Sequence, residues 1–291
     1  MSDFFIKPPS AKAAAMLFMS GSGVNAEKLL KMEAAGKAEF TITAIVTDSP
    51  DPSRSRSRLL AERFGKRIIE LDIREFYKSK GLATTSLATA EGRAVREEWT
   101  EALRQLINAA GKPDFGLLAG FVPLSNITRD FPCLNVHPAD LTVVDSAGIR
   151  KYTGNAIKPV EMAILDGMRS LRSSVIIAQS FSGKAGEVDS GPILGISEAM
   201  AVDLQGHTLA ELQEAFAVRQ KPFKGTDILR SVAEYNLEKL KYAGDLVVFP
   251  AVANAFAQGN YSAGDEGTLL WQGKPAVTVE FSEDSSRPVY I

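Results

Sequence analysis

Ala14-Ala15-Met16-Leu17-Phe18-Met19, running directly into Ser20-Gly21-Ser22-Gly23-Val24-Asn25, decides how this chain is read. A continuous apolar run of this length suits a strand covered on both faces, and such strands belong to parallel sheets. The two glycines let the backbone turn sharply. The next segment carries Leu29 and Leu30 and ends near Gly36, which has the form of a helix. Asn25 is placed to cap that helix, so the amides of Gly21, Ser22, Gly23, Val24 and Asn25 point outward at the positive end of its dipole, where a phosphate or carboxylate would bind. The same loop is also an ordinary strand-to-helix turn, and the residues alone leave both readings open.

Downstream, strands and helices alternate. Thr41 to Thr47 reads as a second strand, followed by a loop over Asp48-Ser49-Pro50-Asp51-Pro52. Arg54, Arg56 and Arg58 read as the solvated start of a helix whose apolar side is Leu59, Leu60 and Phe64, in preference to an anion-binding arm. Arg67 to Leu71 is a third strand. After a polar stretch, Val95, Trp99, Ala102, Leu103, Leu106 and Ile107 mark one face of a long helix closed by Gly111 and Pro113. Phe115 to Ala119 is a fourth strand, continuing into Gly120-Phe121-Val122-Pro123-Leu124. The pattern predicts an α/β chain with a doubly wound, mainly parallel sheet, whose ligands sit beyond the carboxyl ends of the strands.

Leu134-Asn135-Val136-His137-Pro138 supplies the chemistry at one such end. Side chains alternate along a strand, so Asn135 and His137 share a face, and Pro138 ends the ladder. An amide donor beside an imidazole, which titrates near neutral pH, matches what acyl transfer requires. A later stretch, Val188-Asp189-Ser190-Gly191-Pro192, offers a carboxylate at a turn, either bonding local backbone or partnering His137. Ser182 to Glu187 reads as a turn and Ser174 to Gln179 as a strand. Thr208 and Glu211 form a capping box, His207 is a surface residue, and helices follow around residues 228–240 and 245–257. Leu269 to Trp271 and Val277 to Phe281 read as a closing hairpin.

Composition narrows the function class. The 291 residues are 45% hydrophobic, enough for one large core. With 33 basic and 35 acidic residues there is no electrostatic footprint for nucleic acid or an anionic membrane. No apolar run is long enough to span a bilayer and the start does not resemble a signal peptide, so a cytoplasmic location is expected. The single cysteine, Cys133, is expected to be a small buried hydrophobe.

Taken in order, four of these pieces resemble the folate-dependent formyltransferases: Ser20 to Asn25, Leu118 to Phe121, Asn135 to Pro138, and Asp189 to Pro192. The resemblance extends over residues 14–281. It implies a formyltransferase-type Rossmann-like fold with a C-terminal antiparallel hairpin. It also implies an arm at 1–13, a nucleotide-type half at 14–130, a catalytic and folate half at 131–281, and a tail at 282–291. It further implies transfer of a formyl group from 10-formyltetrahydrofolate, without a metal, to the amine of a phosphorylated small molecule. Asn135, His137 and Asp189 would be catalytic; Gly21 to Asn25 would hold the phosphate and Asp245, standing for a family glutamate, would contact the acceptor. Leu118, Phe121, Val122, Leu124 and Val188 would border the folate. The chain departs from the family pattern at Val24, at Ala139-Asp140-Leu141-Thr142, at Ile176 and at Pro123, and it carries extra length near 73–92, 180–187 and 218–243. These departures touch acceptor recognition more than the catalytic set. Another amine such as an amino sugar, hydrolysis of the donor, an inactive folate-binding module, and a homodimer all stay open.

Overall fold

The computed structural model describes residues 3–4, 12–154, 157–181, 188–220, 223 and 225–290; the turn expected at 182–187 lies outside them. The elements that position the site are β1 (Ala13–Phe18), α1 (Val24–Ala34), β2 (Phe40–Thr47), α2 (Ser57–Arg63), β3 (Arg67–Glu70), α3 (Ile73–Ser79), α4 (Ala90–Ala110), β4 (Phe115–Leu118) and β5 (Cys133–His137). They continue with α5 (Ile157–Leu165), β6 (Ser174–Ile177), β7 (Ile193–Ser197), α6 (Leu209–Ala217), α7 (Ile228–Leu240), α8 (Leu246–Ala257), β8 (Thr278–Phe281) and β9 (Ser286–Val289). The main sheet has nine strands in the order β9-β8-β7-β6-β5-β4-β1-β2-β3. Only β6 and β9 run against the rest.

Helices cover both faces, as the continuous apolar strands require. Met16 and Phe18 of β1 pack with Trp99, Leu103 and Ile107 of α4 on one side. Ala15 and Leu17 pack with Leu29 and Leu30 of α1 and Val252 and Phe256 of α8 on the other. Because β1 lies between β2 and β4, the chain winds away from it in both directions. The carboxyl ends of β1 and β4 therefore flank the crevice where such sheets bind ligands.

Several local expectations are corrected. Leu269–Trp271 does not pair with 277–281. It joins a separate small sheet with Tyr261–Ala263, Lys274–Pro275 and Asp3–Phe4, so Asp3 and Phe4 of the supposed arm pair in this sheet. The C-terminal antiparallel pair is instead β8 with β9, which lies in the supposed tail, while β8 also pairs parallel with β7. Trp271 and Phe281 still meet edge to face at 6.0 Å, so the packing between these segments is present without the ladder. Leu59 and Leu106 are exposed, because Leu60 and Leu103 occupy the inward positions of their helices. The polar stretch before α4 contains α3, which Asp72 caps through the amides of Arg74 and Glu75.

The capping box at Thr208 is formed as expected: Thr208 N donates to Glu211 Oε2 at 2.7 Å and Glu211 N to Thr208 Oγ1 at 3.3 Å. Thr208→Ala is expected to cost about 1 kcal/mol in urea unfolding. A midpoint equal to wild type would show that packing alone holds α6.

Candidate functional site

The glycine loop is built by β1 and closed by Gly23, which takes the left-handed conformation (φ 66°) as the residue capping α1. A Cβ there would lie 2.6 Å from Met19 Cε and 2.9 Å from Leu60 Cδ1, which could shift, but the positive φ strains any other residue and so favours glycine. Asn25 is accordingly not the cap. It sits inside the first turn, and its Nδ2 donates to Asp245 Oδ2 at 3.3 Å. The carbonyls of Gly21 and Ser22 accept from Arg56, through its amide at 3.1 Å and its guanidinium at 3.3 Å. Each peptide plane holds its N–H opposite its carbonyl, so the amides of Ser22 and Gly23 turn away from Arg56.

These amides border a cavity of about 610 Å³, lined by Ser20 through Asn25 together with Asp48, Ser49, Arg54, Arg74, Ala119, Gly120, Val122 and Lys241. Arg54 is exposed ahead of α2, as its reading as a solvated helix start expected, and it also lines this cavity. Asp48, Arg74 and Lys241 were missed. Asp48 had a signal: an acid at the end of the strand after a glycine loop is where dinucleotide folds bind a ribose hydroxyl. Arg74 and Lys241 come from distant elements and had none. Ser20 ties this floor together, its hydroxyl donating to Asp48 and accepting from Val122 N at 2.8 Å. Burial raises the Asp48 carboxyl above the usual aspartate range, and the Ser20 hydrogen bond acts in the opposite direction.

The segment after β4 is a wall with two sides. Ala119, Gly120 and Val122 face the glycine-loop cavity. Leu118, Phe121, Pro123 and Leu124 face a narrow cleft of about 90 Å³, whose lining also includes Ile176, Val188, Asn135 and Asp189. Val122, expected beside the folate, is therefore on the other side, and the residue is 78% exposed. Arg96, buried in α4, holds the wall by donating to the Leu124 carbonyl at 2.8 Å.

Asn135 and His137 project from the same face of β5, as the alternation requires. The His137 Nε2 is 2.9 Å from the Tyr152 carbonyl, which can only accept, so Nε2 carries a hydrogen. Nδ1 is 3.7 Å from Asp189 Oδ2, an ion pair when the ring is protonated, and both side chains are largely buried. That separation is beyond direct hydrogen-bond contact. Asp189 is in the left-handed conformation (φ 58°). Its carboxylate accepts from Gly154 N at 2.9 Å, a loop contact and not a local turn bond. Arg150 clamps the same turn by donating to the Asp189 carbonyl, and to that of Gly191 at 2.8 Å. Among the described residues, no three His, Cys, Asp or Glu side chains converge as a metal site would need.

No family model and no curated protein matches the sequence. Solved structures do match. Phosphoribosylglycinamide formyltransferase from Coxiella burnetii superposes with a TM-score of 0.59 at 17% identity, over 93% of this chain and 99% of that one. Glycinamide ribonucleotide transformylase 1 from Symbiobacterium toebii gives 0.57 at 18% identity, over 90% and 95%. A formyltetrahydrofolate deformylase from Pseudomonas syringae pv. tomato gives 0.55 at 14% identity, over 90% of this chain and 66% of that one. The chain has the formyltransferase fold.

Within the formyltransferase fold of this chain, Asp245 is not placed as an acceptor contact. It ends a π-helical turn, Lys241–Asp245, and is 6% exposed between α1 and β6. One carboxylate oxygen accepts from Ser173 Oγ at 2.6 Å, the other from Asn25. The side chain is a strut between the glycine-loop helix and the strand beside His137. Burial raises its carboxyl above the ordinary value of 3.8, outweighing the hydrogen bonds from Ser173 and Asn25. A raised folded value means stability fully present below the ordinary value and lost as pH rises through the raised one. Relative to Asp245→Asn, wild type should therefore lose thermal stability as pH climbs from about 4 toward neutrality. A difference in Tm between the two proteins that stays constant with pH would contradict this. No helix among the described residues is long and apolar enough to cross a membrane.

Proposed function

We propose that this chain transfers a formyl group from 10-formyltetrahydrofolate to the amine of a phosphorylated small molecule, with glycinamide ribonucleotide, and so purine biosynthesis, as the first candidate. The observation that carries this reading is the two-sided wall: a cation-lined cavity over a helix N-terminus on one side and a mainly apolar cleft holding Asn135 and Asp189 on the other. A phosphorylated acceptor suits the first. The flat apolar walls offered by Leu118, Phe121, Leu124 and Val188 suit a folate ring.

In this reading the acceptor nitrogen attacks the formyl carbon, a C–N bond forms, and the carbonyl electron pair moves onto oxygen. The Asn135 side-chain amide, a neutral donor, and protonated His137 stabilise that oxyanion. Asp189 takes the proton shed by the attacking nitrogen, through water where the distance requires it. The tetrahedral centre then collapses, the bond to N10 of the folate breaks, and N10 receives a proton. Water in place of the amine would give hydrolysis, a reading to which the cationic cavity contributes nothing. An amino sugar phosphate would use the same chemistry.

The test follows donor consumption by absorbance together with appearance of the formylated amine, with and without glycinamide ribonucleotide. Amine-dependent product supports the reading. Equal donor loss in both reactions would assign hydrolysis, and bound donor without turnover for any phosphorylated amine would remove the catalytic reading altogether.

A further inference from the structure

The cations around the glycine loop exceed what one phosphate needs. Elsewhere on this side of the molecule basic side chains are neutralised: Arg58 pairs with Glu70 at 2.6 Å, and Lys31, Arg56 and Arg63 converge on Glu27. At the cavity the balance differs. Arg74 makes no direct ion pair with a described carboxylate, and Arg54 has only a partly exposed contact of 3.5 Å with Asp51, whose carboxyl the Ser53 amide first, and then both arginines, help to hold below the usual range. Asp51 is itself held by the amide and hydroxyl of Ser53, at 2.9 and 2.8 Å. The two guanidiniums come from separate elements, the loop before α2 and the first turn of α3, yet both arginines line the cavity that the start of α1 also lines. Lys241 reaches it from a third element and keeps Glu238 as a partner at 2.5 Å. The acid on the lining, Asp48, is engaged by Ser20 and so marks the part of the cavity least suited to a phosphoryl group. An arginine fork is the geometry that matches phosphate oxygens two at a time.

We propose that the cavity accommodates an acceptor with two phosphoryl groups, a diphosphate or a bisphosphate, and binds it more tightly than a monophosphate such as glycinamide ribonucleotide, with one group on the amides at the start of α1 and the second between Arg54 and Arg74. This rests on the formyl-transfer reading for the word acceptor, and on the cavity alone for the anion. α3 lies in one of the stretches read as longer than the family pattern, so that stretch supplies Arg74, one of the two arginines.

The experiment is isothermal titration of the full chain with inorganic phosphate and inorganic pyrophosphate at matched ionic strength. Pyrophosphate is expected to bind about 10-fold or more tightly than phosphate. The Arg54→Gln, Arg74→Gln double variant should bind the two alike while keeping phosphate affinity. The Arg63→Gln, Arg67→Gln double variant, equal in net charge, should keep the preference. Equal affinities in wild type, or a preference lost as fully in the control pair, would overturn the proposal. Both pairs are exposed side chains, and matching Tm values confirm that the variants fold. Failure of formyl transfer to glycinamide ribonucleotide leaves the anion result standing, while loss of the anion preference leaves transfer to a monophosphate standing.

Discussion

His137→Ala is expected to lower formyl transfer by about 10³-fold, measured as kcat with saturating donor and acceptor. The imidazole side chain is 5% exposed and lies 3.7 Å from Asp189, so no solvent group replaces it cheaply. On the proposed mechanism its removal deletes a donor to the developing oxyanion and takes away the ring that stands beside Asp189. It also leaves the Tyr152 carbonyl without the 2.9 Å bond, which costs about 1–3 kcal/mol of stability if water does not enter. Loss of folding and loss of chemistry must therefore be separated. His137→Gln does this, since a glutamine amide can still donate to Tyr152 but cannot carry a proton. It should fold with a near-native Tm and remain as slow as the alanine variant. A glutamine variant with more than about a tenth of wild-type kcat would show that the ring acts only as a structural donor.

Gly191→Ala is expected to destabilise the chain by about 3 kcal/mol and to lower kcat by about 10²-fold. A Cβ at Gly191 would sit 1.8 Å from the Ile177 carbonyl and 3.1 Å from Gln179 Nε2. The obstruction is backbone, so no rotamer change relieves it. The turn is also pinned on its other side, by Arg150 at the carbonyls of Asp189 and Gly191 and by Ile177 N at the Pro192 carbonyl. The turn must move as a unit, carrying Asp189 away from His137 and widening the cleft that Val188 and Asp189 line. Urea unfolding and turnover measure the two effects. An alanine variant with wild-type values for both would mean that the turn relaxes freely and does not set the His137–Asp189 distance.

Both predictions concern residues that the sequence pointed to, and the reason is local. Asn135 and His137 share a face because strand periodicity is two, and Pro138 ends the strand, so their common projection needed no tertiary information. Asp189 required more. Its turn character was readable, but the Gly154 amide that receives it comes from a loop 35 residues earlier in the chain. Asn25 and Asp245 were misplaced for a related reason. A side chain able to cap was read as the cap, whereas the left-handed conformation of Gly23 shifted the helix start and freed Asn25 to reach Asp245. Val122 failed through alternation in an irregular segment, where no fixed period says which side of the wall a side chain takes.

What the amino-acid sequence determined by itself was the order of elements, the parallel character of the sheet and the polar residues at strand ends, all consequences of local hydrophobic periodicity and turn chemistry. Only the tertiary structure decided which strands pair at the C-terminus, how the wall divides its residues between two cavities, and that Arg54, Arg74 and Lys241 meet the glycine loop. Those outcomes depend on contacts between segments far apart in the chain, which a pattern of a few residues does not encode. The single apolar run at the opening placed the glycine loop at a strand end, and the fold brings the charges of distant segments to the same cavity.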